Sequence, residues 1–146
     1  MKQIKKILIL ALISISSLAF GQERERIPES EIKEIIELAI ELPELQQYFH
    51  IDEKPSRAPL IIKEFGIVNS KNLDGLKKFG LPIKVINEKT IKEKGIEAYL
   101  NIGDWTYVGN TLRLQIDYTA EGITINFMLN RVDGEWKIVD SIILKE

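Results

Sequence analysis

The chain has 146 residues, 20 Lys and Arg against 22 Asp and Glu, one histidine and no cysteine. That composition excludes disulfides, thiolate metal centres and a cysteine nucleophile, and His50 alone cannot build a multi-histidine zinc site. A slightly acidic chain is also a poor nucleic-acid binder, because such affinity rests on neutralising phosphates.

Residues 1–21 read as a secretory signal peptide. Lys2, Lys5 and Lys6 form its basic end, Ile7 to Phe20 its apolar run, and Ala19-Phe20-Gly21 its cleavage region. The run is short for a membrane span and no basic stop-transfer segment follows it. No membrane association is therefore expected after cleavage, and the product is expected in the periplasm or outside the cell. Cleavage removes three lysines and no acid, so 20 bases and 22 acids become 17 and 22, a charge of −5. Residues 22–27 form a charged lead-in. Residues 28–146 suffice for one α+β domain with its own core.

Pro28, Glu29 and Glu31 suit a helix start, with proline in the first turn and acids near the positive end of the helix dipole. Ile32, Ile35, Ile36, Ala39 and Leu42 then recur at helical spacing. Their stripe is the natural cover for a sheet. The polar face is acidic, which argues for core packing rather than a membrane surface. Pro43 ends or kinks this helix. Glu44 to Phe49 can add a short turn that buries Leu45, Tyr48 and Phe49. Asp52 to Pro59 is a loop. Leu60-Ile61-Ile62 and Pro82 to Ile86 are short strand candidates, separated by a turn-rich stretch at Asn69–Lys78. Asn87 to Gly95 reads as an exposed connection, and Ile96 to Val108 as a strand.

The organising stretch is Thr111–Leu144. Asp133-Gly134 is a preferred two-residue hairpin pair, because both positions need positive φ. Glu121-Gly122 is expected to do the same one hairpin earlier, and Gly109-Asn110 turns the entering strand into Thr111. Counting from these turns places Tyr118 opposite Ile125, Leu114 opposite Leu129, Phe127 opposite Asp140 and Gly103 opposite Ile116. One face then carries Leu112, Leu114, Ile116, Tyr118, Ile123, Ile125, Phe127, Leu129, Trp136, Ile138, Ile142 and Leu144. The other carries Arg113, Gln115, Asp117, Asn126, Asn130, Lys137 and Ser141, the one-sided wetting usual for antiparallel sheets. Gly103-Asp104 marks a bulge or a break.

Asp140 is out of place in this register, since it points into the apolar face. An unpaired carboxylate there is costly, so it must be hydrogen-bonded, protonated or displaced by a bulge. If it stays inside, the expected ligand-binding set is Tyr99, Trp105, Tyr107, Tyr118, Phe127 and Asp140. An acid in a dry aromatic pocket is how a carboxyl pKa is raised for catalysis. The plainer alternative is a carboxylate satisfied by backbone or a tyrosine hydroxyl. His50, at a helix end, reads as a packed or capping residue. No phosphate-binding glycine loop, dinucleotide fingerprint, nucleophile elbow or calcium loop is visible, and no cofactor or metal is expected.

A leading helix followed by a meander that closes in Gly134-Glu135-Trp136-Lys137-Ile138 after an Asp-Gly turn resembles the cystatin-like and nuclear-transport-factor-2-like domains. The leader ending in Phe20-Gly21-Gln22 resembles those of exported Bacteroidetes-type proteins. The first resemblance implies an amphipathic helix packed on a curved, cone-shaped antiparallel sheet with a pocket between them. Some members are isomerases or dehydratases, and many only bind. The enzymes' acid–base residues cannot be matched here. The expectation is an exported, non-enzymatic domain that binds a small apolar ligand or a protein partner. The alternatives are a lyase or isomerase using Asp140, and an inhibitor or immunity-type protein.

Overall fold

The computed structural model describes residues 26–146. The expected signal peptide at 1–21 lies outside them, as does most of the lead-in at 22–27. Helix α1 (Glu29–Ile40) forms where the apolar periodicity places it, and buries Ile32, Ile35, Ile36, Ala39 and Ile40. Pro43 opens α2 (Pro43–Phe49), where a missing backbone N–H costs nothing, and Leu45 and Phe49 are buried. His50 caps α2 in the left-handed conformation, φ 49°. A single 3-10 turn, Pro55–Arg57, lies in the following loop.

Eight strands follow: β1 (Ile61–Lys63), β2 (Lys77–Lys78), β3 (Leu81–Pro82), β4 (Lys84–Ile86), β5 (Leu100–Val108), β6 (Thr111–Tyr118), β7 (Ile123–Val132) and β8 (Glu135–Lys145). Six make one open sheet in the order β4-β1-β5-β6-β7-β8, and β2 and β3 form a separate hairpin. The sheet is antiparallel from β5 to β8, while β1 runs parallel to both β4 and β5. The fold is therefore α+β with a mostly antiparallel sheet.

The stretch Asn87–Gly95, expected to be a connection, is a helix, α3 (Glu88–Lys94). The Asn87 side chain accepts from the Thr90 backbone N–H at 2.8 Å, and Gly95 closes the helix at φ 61°. Lys89–Glu93 and Glu88–Lys92 contacts brace its exposed face. The polar composition concealed it, since Ile91 is its one buried residue.

Helix α1 lies against the meander through buried side chains and a polar clasp. Glu31 Oε2 accepts from Trp136 Nε1 at 2.7 Å and also from Arg131 Nη2. Glu34 Oε1 accepts from the Trp136 backbone N–H at 3.2 Å, and the Arg131 guanidinium stacks over the indole. At the other end of α1, the β2–β3 hairpin delivers Lys78, only 7% exposed, to Glu41 Oε1 at 2.9 Å and Gln46 Oε1 at 2.6 Å. The rings of Phe49 and Phe79 flank that ammonium group, which is how a buried lysine keeps its charge satisfied.

Register in the meander departs from expectation at three points. The β6–β7 connection has four residues, Thr119–Gly122, so Tyr118 faces Ile123 and Leu114 faces Phe127. That shift is two residues, which preserves every side-chain face. In β5 the register slips between Ile102 and Asp104, leaving Gly103 as a bulge and placing Ile102 opposite Ile116. In β8 Leu129 faces Ile138 while Met128 faces Asp140, which leaves Val139 as the extra residue. Each bulge adds one residue and so inverts the faces of the strand beyond it.

Candidate functional site

The two bulges decide where the expected site residues go. Beyond Val139, Asp140, Ile142 and Leu144 lie on the outer face, and Phe127 faces Ser141 instead of Asp140. Before Gly103, Leu100 and Ile102 point inward and are buried, so Tyr99 takes the opposite face and leaves the expected aromatic set. The row across the core is Ile102, Ile116, Ile125 and Ile143, not Gly103, Ile116, Phe127 and Asp140. Asp140 is thus displaced rather than buried, and the dry pocket around it does not form.

The remaining aromatic residues fill space. Tyr118 and Phe127 are buried, and Trp105 and Tyr107 pack against the core. The Tyr118 ring meets Phe49 edge-on at 5.3 Å, and Tyr107 meets Trp136 at 5.8 Å. Burial, ahead of the opposing influence of Arg57, raises the Tyr118 hydroxyl above its ordinary value. Such a residue is poorly suited to proton transfer near neutrality.

Beside the two bulges lies a depression on the outer face of the sheet, about 300 Å³ in volume. Two adjacent rows run across it. One is Asp104, Gln115, Asn126 and Ile142; the other is Thr106, Arg113, Met128 and Asp140. Asp104 lies on this face by alternation from the Gly109-Asn110 turn, and Asp140 reaches it through the β8 bulge, so a carboxylate stands at each side. Re-aiming a side chain, as at Asp140, is the common use of a bulge. The Gln115 side chain lies across Gly103, where an added Cβ would meet its Nε2 at 2.8 Å. A side chain at Gly103 would have to displace the flexible end of Gln115.

Asp104 accepts from Thr106 at 2.7 Å, and Asp140 and Arg113 form no ion pair among the described residues. The floor is partly apolar: Met128 is 41% exposed, and Ile142 and Leu144 along the same face are 54% and 52% exposed. Amide groups, two carboxylates, one guanidinium and an apolar strip can recognise a polar partner of mixed character. Sequence periodicity places Arg113, Gln115 and Asn126 on this face. Asp104 has the same parity, whereas Asp140 and Ile142 escape it because only the β8 bulge brings them there. The signal available was the out-of-phase aspartate itself, together with Gly103 inside a strand.

A second polar cluster sits at the end of the sheet. Arg57 Nη1 donates to Glu121 Oε1 at 2.7 Å and to the Phe49 carbonyl at 3.2 Å, and its guanidinium lies over the Tyr118 ring. The hydrogen bond from Arg57 holds the Glu121 carboxyl below its ordinary value. His50 stands between Glu53 and Glu121, at 3.5 and 3.9 Å. This cluster ties the loop after α2 to the β6–β7 turn.

Among the described residues no group of three or more His, Cys, Asp or Glu side chains is placed to hold a metal, and no helix is long and apolar enough to cross a membrane. Comparison with family models, with curated proteins and with solved structures gave no match.

Proposed function

We propose that this chain is an exported, non-enzymatic binding domain whose outer sheet face receives a protein partner. The observation that carries the reading is the β8 bulge that turns Asp140 onto the face already holding Asp104, around exposed Met128 and Ile142. Two carboxylates against one guanidinium favour a partner segment bearing Lys or Arg among apolar side chains. Exposed apolar side chains at this density on one face are typical of recognition surfaces. The long strand β8 lies at the edge of the sheet among the described residues, which also suits recognition by strand addition.

The leader supports export, through its basic end, apolar run and small residues before Gln22. Mass analysis of the product outside the cytoplasm is expected to give a chain beginning at Gln22. Helix α1 across a meander that ends in an Asp-Gly hairpin supports a cystatin-like arrangement. The parallel strands β1 and β4 on the other edge are an addition to it. Asp140 on the outer face favours this reading over a lyase or isomerase built on that carboxylate, and the filled core favours a partner over a ligand held between helix and sheet.

The test is selection of phage-displayed peptides on the full-length chain and on an Asp104→Asn/Asp140→Asn variant. Peptides alternating apolar with basic residues should be enriched, and should bind the variant at least ~10-fold more weakly. Absence of enrichment, or equal binding to both chains, refutes the assignment.

A further inference from the structure

β1 and β5 share one paired position, Ile62 with Leu100. Before it the two chain segments part, and a cleft of about 550 Å³ opens between Ala58–Ile61 on one side and Gly95–Ala98 on the other. Ala120 of the β6–β7 turn also lines it. The volume lies within the range of small-molecule sites, about 300–1,000 Å³.

The cleft's chemistry is unlike that of the chain around it. Acids outnumber bases over the whole sequence, yet Lys54, Arg57 and Lys94 line this cleft against a single acid, Glu97. Lys54 and Lys94 form no ion pair among the described residues. Arg57 is committed to Glu121 and the carbonyls of Tyr48 and Phe49 through Nη1 and lies against Tyr118, so it adds positive potential to the cleft wall while Lys54 and Lys94 are the cations left for a ligand. Between the cations the walls are apolar, formed by Pro59, Ile61, Ile96 and Ala98.

We propose that this cleft is a binding site for a small organic carboxylate with an apolar body, gripped by Lys54 and Lys94 with Arg57 in the wall beside them. A single negative charge fits better than a phosphate dianion, because Glu97 stands in the same wall. The site is separate from the outer sheet face, so it stands or falls independently of the partner proposed there.

Hexanoate, 1-hexanol and inorganic phosphate serve as probes, each titrated into the 15N-labelled full-length chain. Hexanoate should shift the amides of Arg57, Ala58 and Ile61 and of Ile96 to Ala98 in a saturable manner. Hexanol and phosphate should each bind at least ~10-fold more weakly. The Lys54→Gln/Lys94→Gln variant replaces two exposed side chains, and should keep the remaining amide spectrum while losing hexanoate affinity by at least ~10-fold. The proposal is overturned if hexanoate leaves those amides unmoved or if the variant binds it equally well. Hexanol binding as tightly would show an apolar slot only, and phosphate binding as tightly an unselective cation patch; either result also overturns it.

Discussion

Trp136 donates its indole N–H to Glu31 at 2.7 Å, and Arg131 donates to the same carboxylate oxygen. Helix α1 is thereby fixed to the last hairpin by a charged acceptor shared between two donors. Both ionic partners are about one-third exposed, so solvent screens part of the attraction. Glu31→Ala should cost about 1–2 kcal/mol, since charge-assisted hydrogen bonds are worth more than neutral ones. Urea unfolding followed by tryptophan fluorescence measures it. A change under ~0.5 kcal/mol, the scale of ordinary surface substitutions, would mean the clasp contributes little.

Arg57 and Glu121 link stability to acid. Arg57 holds the Glu121 carboxyl below its ordinary value of 4.5. The folded state therefore binds this proton less readily than the unfolded chain does. The contribution is complete above pH 4.5 and is lost as pH falls through the lower, folded value. Arg57→Met should cost about 2 kcal/mol at neutral pH, because a charged donor to several acceptors is removed. It should also flatten the loss of stability between pH 5 and pH 3. Urea midpoints of both chains at the two pH values provide the comparison.

Tyr118 acts at the other end of the pH scale. Burial raises its hydroxyl above the ordinary value of 10.0. As pH rises past 10 the unfolded chain releases this proton first, so stability present below that value is lost above it. Tyr118→Phe should therefore lose less stability than the natural chain between pH 9 and pH 11. Parallel slopes for the two proteins would exclude the effect.

The Val139 bulge keeps a carboxylate out of the core. Deleting Val139 would restore an uninterrupted register with Ile138 still opposite Leu129 and Asp140 still opposite Met128, so the carboxylate would stay on the outer face. The deletion should therefore cost less than the ~3 kcal/mol expected of a buried unpaired charge. Adding Asp140→Val to the deletion should change stability by less than ~0.5 kcal/mol, and a large recovery would mean that the carboxylate had turned inward. Likewise, Asp140→Asn alone should change stability by less than ~0.5 kcal/mol, because the side chain is exposed. Thermal unfolding of the three variants separates these cases.

These effects also explain which parts of the structure were legible in the sequence. The β6–β7 turn was counted two residues short, yet Leu112, Leu114, Ile116 and Tyr118 remain buried as expected, because an even shift keeps side-chain parity. One extra residue at Gly103 and one at Val139 do the opposite, moving Tyr99, Asp140, Ile142 and Leu144 off the core face. Val139-Asp140-Ser141-Ile142-Ile143-Leu144 carries apolar residues on both phases, so alternation could not choose between them. Asn87 and Gly95 do mark both ends of α3, but the helix buries only Ile91 and shows no stripe. The parallel strands β1 and β4 have three residues each, too few for a period to register. Their pairing depends on α3 carrying the chain from one side of β1 to the other.

The clasp between Glu31 and Trp136 spans 105 residues of chain, whereas β5 to β8 are joined by turns of a few residues each. The meander can therefore assemble from near neighbours, while α1 must wait for the longest loop in the molecule to close. A chain made from its N-terminus produces the apolar stripe of Ile32, Ile35, Ile36, Ala39 and Ile40 first and covers it last. Pulse-labelled hydrogen exchange during refolding should accordingly protect amides of β6 and β7 before those of α1. Until Trp136 has been made, that stripe is the surface a chaperone would have to shield.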